Sequence, residues 1–474
     1  MVLTPATVRA AVLEQTERTK HCSKAEIERF IGDSELKIVS LDSQINALVE
    51  LRDSQRACVL ALKSIIAPVR TLPAELLAGI FELTIGDDTH VQDAYRVSHV
   101  CSHWRQVAHS TPQLWTRPLM VDLCEEKDVA DGLKAWLARS FPLPLPISFA
   151  PVTTTMNPAI VEEVLTAAPR ASSLLFPTAS EYETPVSLVR RLAQAKLDSV
   201  EEICLGIVNE TDHTPITFTV PRLRKFSIVN LGEPPIIIPW SQLTELTYRC
   251  GSSNVVLEVL SQCTNLISAS ITILGRSPLP EIRRDISVRF SHLRRLYLRF
   301  MADPTSFFDH LLTPVLQELR LELEGMHWIH THLTAFQLRA PNITRLEFSF
   351  SRSLTSDDLV TAIRTSPSLT HLRLTCGGDC FDDAFIRTLH YKDGVAPLAP
   401  RLHDLVVWSD TVNFTEDVLA GMIASRWWTD TELASLVAPP AVPRWTHVEL
   451  DMEYHFGPQF DDILKHIPSD VLRY

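Results

Sequence analysis

The hexapeptide LRRLYL, Leu293–Leu298, sets the reading of this chain. Its apolar residues Leu293, Leu296 and Leu298 follow an apolar-x-x-apolar-x-apolar order. The last two alternate with Arg295 and Tyr297, as the sides of a half-buried strand do. The phrase returns as LRKFSI from Leu223, LTELTY from Leu243, LISASI from Leu266 and LQELRL from Leu316. It continues as ITRLEF from Ile343, LTHLRL from Leu369, LHDLVV from Leu402 and WTHVEL from Trp445. Weaker copies stand upstream: VEEICL from Val200 and ASSLLF from Ala171. From Leu223 the copies step by 20, 23, 27, 23, 27, 26, 33 and 43 residues.

All but the last two steps fit the ~20–29-residue period of leucine-rich repeats. Several steps also hold a helical pattern ahead of a Pro or Asn turn. These are Val255, Val256, Val259 and Leu260; Phe307, Phe308, Leu311 and Leu312; Leu359, Val360 and Ile363; and Val418, Leu419, Met422 and Ile423. Thr355 and Asp358 have capping-box spacing for the third of these. Helix alternating with short strand implies parallel strands with helices on one face. Successive units must stack, because none can bury its apolar face alone. The expected fold class is α/β, with an irregular leucine-rich-repeat-like solenoid over residues 118–474. It should be irregular because PPIIIPWSQL leaves no room for a helix. In addition, the Asn that usually follows the strand phrase is missing from nearly every copy.

In such a solenoid the residues between the apolar places face outward on the inner curve. In mid-stack these are Arg295, Tyr297, Glu318, Arg320, Arg345, Glu347, His371 and Arg373. They form a candidate target-binding set; a solvated face is the plainer alternative. Trp427-Trp428 is a second candidate, with core packing expected for at least one of the two.

Residues 1–22 carry no strong signal and read as a frayed, weakly helical arm. From Ile31 to Ile66 a heptad seam appears. Ile31, Ile38, Ile45, Val59 and Ile66 stand at a places, with Leu41, Leu48 and Leu62 at d places; Arg52 and Gln55 interrupt them. Pro68 should stop this long helix. The seam reads either as a dimerising coiled coil or as a helix laid against the protein's own body. Its shortness and its break favour the second.

PVRTLPAELLAGIFEL, residues 68–83, follows. Leu76, Leu77, Ile80 and Phe81 make a helical stripe, and Pro73 suits a first helical turn. TIGDDTHVQDAY reads as a loop. Val97, Val100, Cys101, Trp104, Val107 and Ala108 then have helical spacing, and STP breaks the chain before Leu114 and Trp115. Three short helices around one small core should fill residues 72–115.

Leu72, Pro73, Glu75, Leu76, Ile80 and Phe81, then Val97, Val100, Cys101, Trp104, Ala108 and Leu114-Trp115, resemble an F-box. The segment from Phe81 to Val100 is about five residues longer than the family pattern, where a loop would absorb it. With the long helix before it and the repeats after it, the chain resembles fungal F-box proteins with a leucine-rich-repeat-like body. The resemblance implies three domains: residues 1–70, arm and long helix; 71–117, F-box; 118–474, solenoid. It also implies a substrate-receptor subunit of an SCF-type ubiquitin ligase. The F-box would hold a Skp-type adaptor, and through it a cullin, while the repeats hold a target protein. The adaptor-binding residues implied are Leu72, Pro73, Glu75, Leu76, Ile80, Phe81, Val97, Val100, Cys101, Trp104 and Trp115, with Phe81 and Trp104 as anchors. Independently, three such short helices cannot bury their own apolar residues completely, so a partner is expected to cover them; packing against the first repeats is the plainer alternative.

Composition narrows the alternatives. A chain of 474 residues exceeds one ordinary core. A net charge of -13 argues against nucleic-acid or anionic-membrane partners. Nine scattered cysteines form no disulfide framework, which suits a reducing compartment. The N-terminus lacks a signal-peptide pattern, and no apolar run reaches the ~18 residues of a membrane span. A cytoplasmic or nuclear protein is expected. Cys376 and Cys380, with His371 and His390 nearby, lack a second cysteine pair and read as solvated loop residues. His327, His330 and His332 read as polar surface. Asp357-Asp358 and Asp382-Asp383 each open a helical pattern, where acidic residues suit the helix dipole. No nucleotide, nucleophile-elbow or metalloprotease phrase is present. No catalytic residue, metal or cofactor is therefore expected. The alternative to the receptor reading is a non-catalytic repeat scaffold that associates weakly with itself through residues 31–66.

Overall fold

The computed structural model describes residues 9, 24–86, 90–125, 127–179, 182–208, 214–230, 235–275, 287–301, 307–323, 330–350, 354–376, 380–435 and 438–474. The chain divides into two compact units, residues 1–83 and 84–474.

The first unit is dominated by α1, Lys24–Ile65, a helix of 42 residues and so about 63 Å long. It ends just ahead of Pro68, which opens a 3-10 turn over Pro68–Thr71. The next helix is α2, Ala74–Thr84. The heptad residues of α1 are exposed along its length, Ile38 at 56% and Leu48 at 65%.

The second unit begins with helices α3, His90–His99, and α4, Ser102–His109. The expectation of a loop over TIGDDTHVQDAY is corrected from His90 onward. Asp93 lies in the first turn of α3, ion-paired with Arg96 at 3.1 Å. Its polar composition is that of a helix start, where a carboxylate meets the positive dipole end. A 3-10 turn, Pro112–Trp115, leads into the sheet.

Fourteen strands form one sheet, all parallel, in the order of the chain. They open with β1 Leu119–Val121, β2 Leu145–Phe149, β3 Ala171–Leu175 and β4 Glu202–Ile207. Then come β5 Lys225–Asn230, β6 Glu245–Cys250, β7 Ser268–Ile273, β8 Arg295–Phe300 and β9 Glu318–Leu323. The last are β10 Arg345–Phe350, β11 His371–Cys376, β12 Asp404–Ser409, β13 His447–Met452 and β14 Leu472–Arg473. Each of the nine strong phrases becomes a six-residue strand that starts at its third residue. The residue before each strand ties it to the preceding repeat. Thr244, Gln317 and Thr370 donate their N–H groups to Arg224, Arg294 and Thr344 carbonyls at 2.8, 2.9 and 2.9 Å. These bonds hold all copies in one register, so alternate side chains line up across the strands.

Helices connect the strands where the steps are long enough: α5 Lys127–Arg139, α6 Pro158–Ala167, α7 Val186–Gln194, α8 Ser253–Gln262, α9 His330–Arg339 and α10 Ser356–Arg364. Toward the end come α11 Asp383–Leu389, α12 Glu416–Ser425, α13 Asp430–Ser435 and α14 Pro458–Leu464. The Thr355–Asp358 capping box is formed, and Asp382 caps α11. The described part of PPIIIPWSQL, residues 235–243, holds a two-residue strand and a 3-10 turn.

Two further expectations are corrected. Phe307, Phe308, Leu311 and Leu312 form a 3-10 turn and a short strand, not an α-helix. Both phenylalanines are fully buried, with ring centroids 5.5 and 5.8 Å from that of Phe300. The apolar run reflects burial on every side rather than one helical face. Cys380 is buried, not solvated; Cys376 ends β11. His327 lies outside the described residues, and His332 Nδ1 is 3.1 Å from Asp309 Oδ2. Trp427 and Trp428 are both half-buried, whereas nearby Trp445 is fully buried.

Candidate functional site

In the first unit α2 divides its apolar residues between two faces. Leu77 and Phe81, one turn apart, are buried. Leu76, Ile80 and Leu83 follow at i, i+4 and i+7 and stand 58, 42 and 89% exposed. The chain enters the helix through Leu72, half-buried and extended, and Pro73, whose carbonyl accepts the Leu77 N–H at 3.1 Å. Glu75 is exposed in the first turn. An exposed aliphatic stripe with three anchors is a surface suited to a helical or grooved protein partner.

In the second unit Cys101 caps α4, its sulfur accepting the Trp104 N–H at 3.5 Å. Val100, just before the cap, is 59% exposed; Val97 and Trp104 are half-buried. Trp115 is fully buried and donates Nε1–H to the Ala108 carbonyl at 2.8 Å. Its ring meets Trp136 of α5 edge-on at 4.8 Å, and the Arg139 guanidinium lies 4.7 Å from its centroid. Trp115 therefore fastens α4 to the first helix of the repeats. Of the eleven residues singled out from sequence, Phe81 and Trp115 hold cores together. Leu76, Ile80 and Val100 present apolar surface. Sequence reading missed Leu83, which continues the stripe, and Trp136, which a wide 115-to-136 spacing concealed.

The second candidate surface is the outward face of the sheet. The structure brings all eight residues predicted there together in two strand-crossing rows, with a third row beside them. Arg295, Glu318, Arg345, His371, Asp404 and His447 are direct register neighbours. So are Tyr297, Arg320, Glu347, Arg373, Val406 and Glu449. The third row runs Arg299, Glu322, Ser349, Thr375, Trp408 and Asp451. Trp408, 50% exposed, was not foreseen, although alternation continued two places beyond LHDLVV points to it.

Charge on this face is mostly paired. Arg320 meets Glu347 at 3.2 Å and Arg299 meets Glu322 at 3.3 Å. The Tyr297 hydroxyl donates to Glu322, and the Arg320 guanidinium lies 4.7 Å from its ring centroid. Burial first, then Glu322, pushes the Tyr297 phenol up to about 12, so it remains a donor. The Asp404 carboxylate lies 3.9 Å from His371 Nε2 and 3.6 Å from His447 Nδ1. These side chains border a cleft of 230 Å³ floored by Leu346, Leu372 and Val406. Among the described residues, Arg295 and Arg373 make no ion pair or hydrogen bond, and both are exposed. The face thus offers two uncommitted cations, a fixed polar network and one exposed indole. That combination suits a polar protein segment carrying carboxylates and an apolar anchor.

Among the described residues no group of three His, Cys, Asp or Glu side chains could hold a metal ion, and no single helix is long and apolar enough to cross a membrane.

The F-box-like family model matches residues 69–120. No curated protein matches the chain. Among solved structures, the chain is similar to the leucine-rich repeat domain of APL1B at 12% identity, covering 60% of this chain and 68% of that one, with a TM-score of 0.23. The chain joins an F-box-like segment to a parallel, leucine-rich-repeat-like sheet.

Proposed function

We propose that this chain is the substrate-receptor subunit of a Skp-adaptor, cullin and F-box ubiquitin ligase. The observation that carries the reading is the F-box-like match over residues 69–120, placed directly ahead of a repeat body with a charged open face. The adaptor docks on the exposed stripe of Leu76, Ile80 and Leu83. Such an interface draws its affinity from a few desolvated aliphatic anchors. The target protein binds the sheet face around Arg295, Arg373 and Trp408. The subunit is non-catalytic: it holds two proteins close, and partner subunits perform ubiquitin transfer in the cytoplasm or nucleus.

Co-expression of the full chain with a Skp-type adaptor tests this. Leu76→Asp with Ile80→Asp removes the adaptor because a charge replaces each anchor. Phe81 is a poor probe, since truncating a buried phenyl ring costs about 3–5 kcal/mol of stability.

The second reading is a repeat scaffold that associates through the N-terminal helix and has no ligase role. The exposed heptad residues of α1 favour it. Adaptor that never co-purifies with the intact chain selects it.

A further inference from the structure

The exposed seam of α1 continues one heptad further upstream than the strict ladder, through Ile27 at a d place. The apolar seam residues from Ile27 to Ile66 stand exposed, so their surface remains to be covered. Three polar residues interrupt them: Ser34, Arg52 and Gln55. The places flanking the d ladder divide by sign along the helix. Glu28, Glu35 and Asp42 occupy them in the first half, Arg56 and Lys63 in the second.

These features choose both an occupant and an orientation. If two copies paired in parallel, each seam residue would face its own equivalent. Arg52 would then meet Arg52, and desolvating two like charges is costly. Glu35, Arg56 and Lys63 would lie beside Phe30, Leu51 and Cys58, none of which answers their charge; Asp42 alone would meet an opposite charge, in Lys37. In an antiparallel pair the flanking d-side places meet one another. Glu28 then lies beside Lys63, and Glu35 beside Arg56, twice over by symmetry. In the same register Arg52 faces Ser34, while Ile38 faces Leu48 and Ile45 faces Leu41. Arg52 thus meets a polar residue and the apolar centre stays continuous, while Gln55 faces Ile31. Opposed helix dipoles add to the preference.

We propose that a second copy of this chain covers the α1 seam as an antiparallel coiled-coil dimer, in the register that sets Glu28 beside Lys63 and Glu35 beside Arg56. The proposal does not rest on the adaptor reading. A dimer would give the proposed receptor two target-binding faces, raising avidity for targets with paired sites.

Sedimentation velocity of the full chain over a micromolar concentration series tests it. The wild type dimerises. Glu28→Lys with Glu35→Lys weakens association about tenfold, and so does Arg56→Glu with Lys63→Glu, because each sets like charges against each other in four places. All four substitutions in one chain restore the wild-type constant. Helical content by circular dichroism stays unchanged throughout, since every altered side chain is exposed. A monomeric wild type overturns the proposal. A dimer indifferent to the paired reversals, or one that the fourfold variant fails to restore, overturns the antiparallel register.

Discussion

Arg345 Nη2 stands 3.3 Å from His371 Nε2, across the register pair that joins β10 to β11. The guanidinium can only donate, so Nε2 is the accepting nitrogen and Nδ1 carries the proton. Nδ1–H then donates to Thr370 Oγ1 at 2.8 Å, and that hydroxyl donates to the Thr344 carbonyl at 2.9 Å. Burial first, and Arg345 second, hold the His371 imidazole below its ordinary 6.5. A depressed histidine keeps the folded chain neutral at this place. The unfolded chain takes up its proton more readily, so stability from this group is full above 6.5 and falls as pH drops toward the lowered value. Arg345→Gln should raise the His371 value and narrow that window. Titration of its imidazole resonances by NMR reads the shift directly. An unmoved titration would mean that Arg345 does not act on His371.

Arg426 is fully buried without a carboxylate partner among the described residues. It donates to the carbonyls of Leu389 at 3.0 Å, Leu398 at 2.9 Å, Ala399 at 3.3 Å and Leu402 at 3.4 Å. Its guanidinium lies 5.3 Å from the Trp445 centroid. Desolvation lowers its value to about 10, still high enough for a full charge at neutral pH. One planar fork therefore satisfies the last carbonyl of α11 and three loop carbonyls ahead of β12. Arg426→Ala should cost about 3–5 kcal/mol in urea unfolding, because buried carbonyls lose their donors. Arg426→Lys should recover little, since a point charge cannot reach four acceptors. Full rescue by lysine would contradict the fork.

Gly206 sits at a register shift of β4 against β5. A Cβ there would come 2.2 Å from the Pro177 carbonyl oxygen and 2.9 Å from Thr184 Oγ1. Its N–H also donates to Thr184 Oγ1 at 2.9 Å. Backbone oxygen cannot step aside cheaply, so Gly206→Ala should destabilise the chain by about 1–3 kcal/mol. Gly79 offers the control, because nothing lies within 4 Å of its Cβ direction. If both substitutions melt alike, the steric account of Gly206 fails.

The repeats were legible because each phrase couples a Leu turn to strict alternation, and burial enforces both. From Leu223 to Trp445 every strong phrase became a strand at the same offset. Legibility failed where that coupling weakens. LPLPISF hides β2 because Pro146 breaks the apolar run, and β1 is only three residues long. Phe307-Phe308 misled because rings buried on all sides imitate a helical pair. His90–Tyr95 looked like a loop because a helix's first turn favours the same polar residues. The F-box-like segment was legible as a motif. Which of its residues pack inward was not, because the motif does not separate Phe81 from Ile80. The outward sheet face was legible as a list of positions, but its pairings, and the exposure of Trp408, depend on neighbouring strands.

The central claim concerns Leu76 and Ile80, exposed on the face of α2 that Leu77 and Phe81 leave free. The most direct measurement is co-purification of the full chain with a Skp-type adaptor, wild type against Leu76→Asp with Ile80→Asp. The account predicts a stoichiometric wild-type complex. It predicts loss of adaptor from the double variant at an unchanged melting temperature, since both side chains face solvent. Adaptor retained by the double variant, or absent from the wild type, would contradict it.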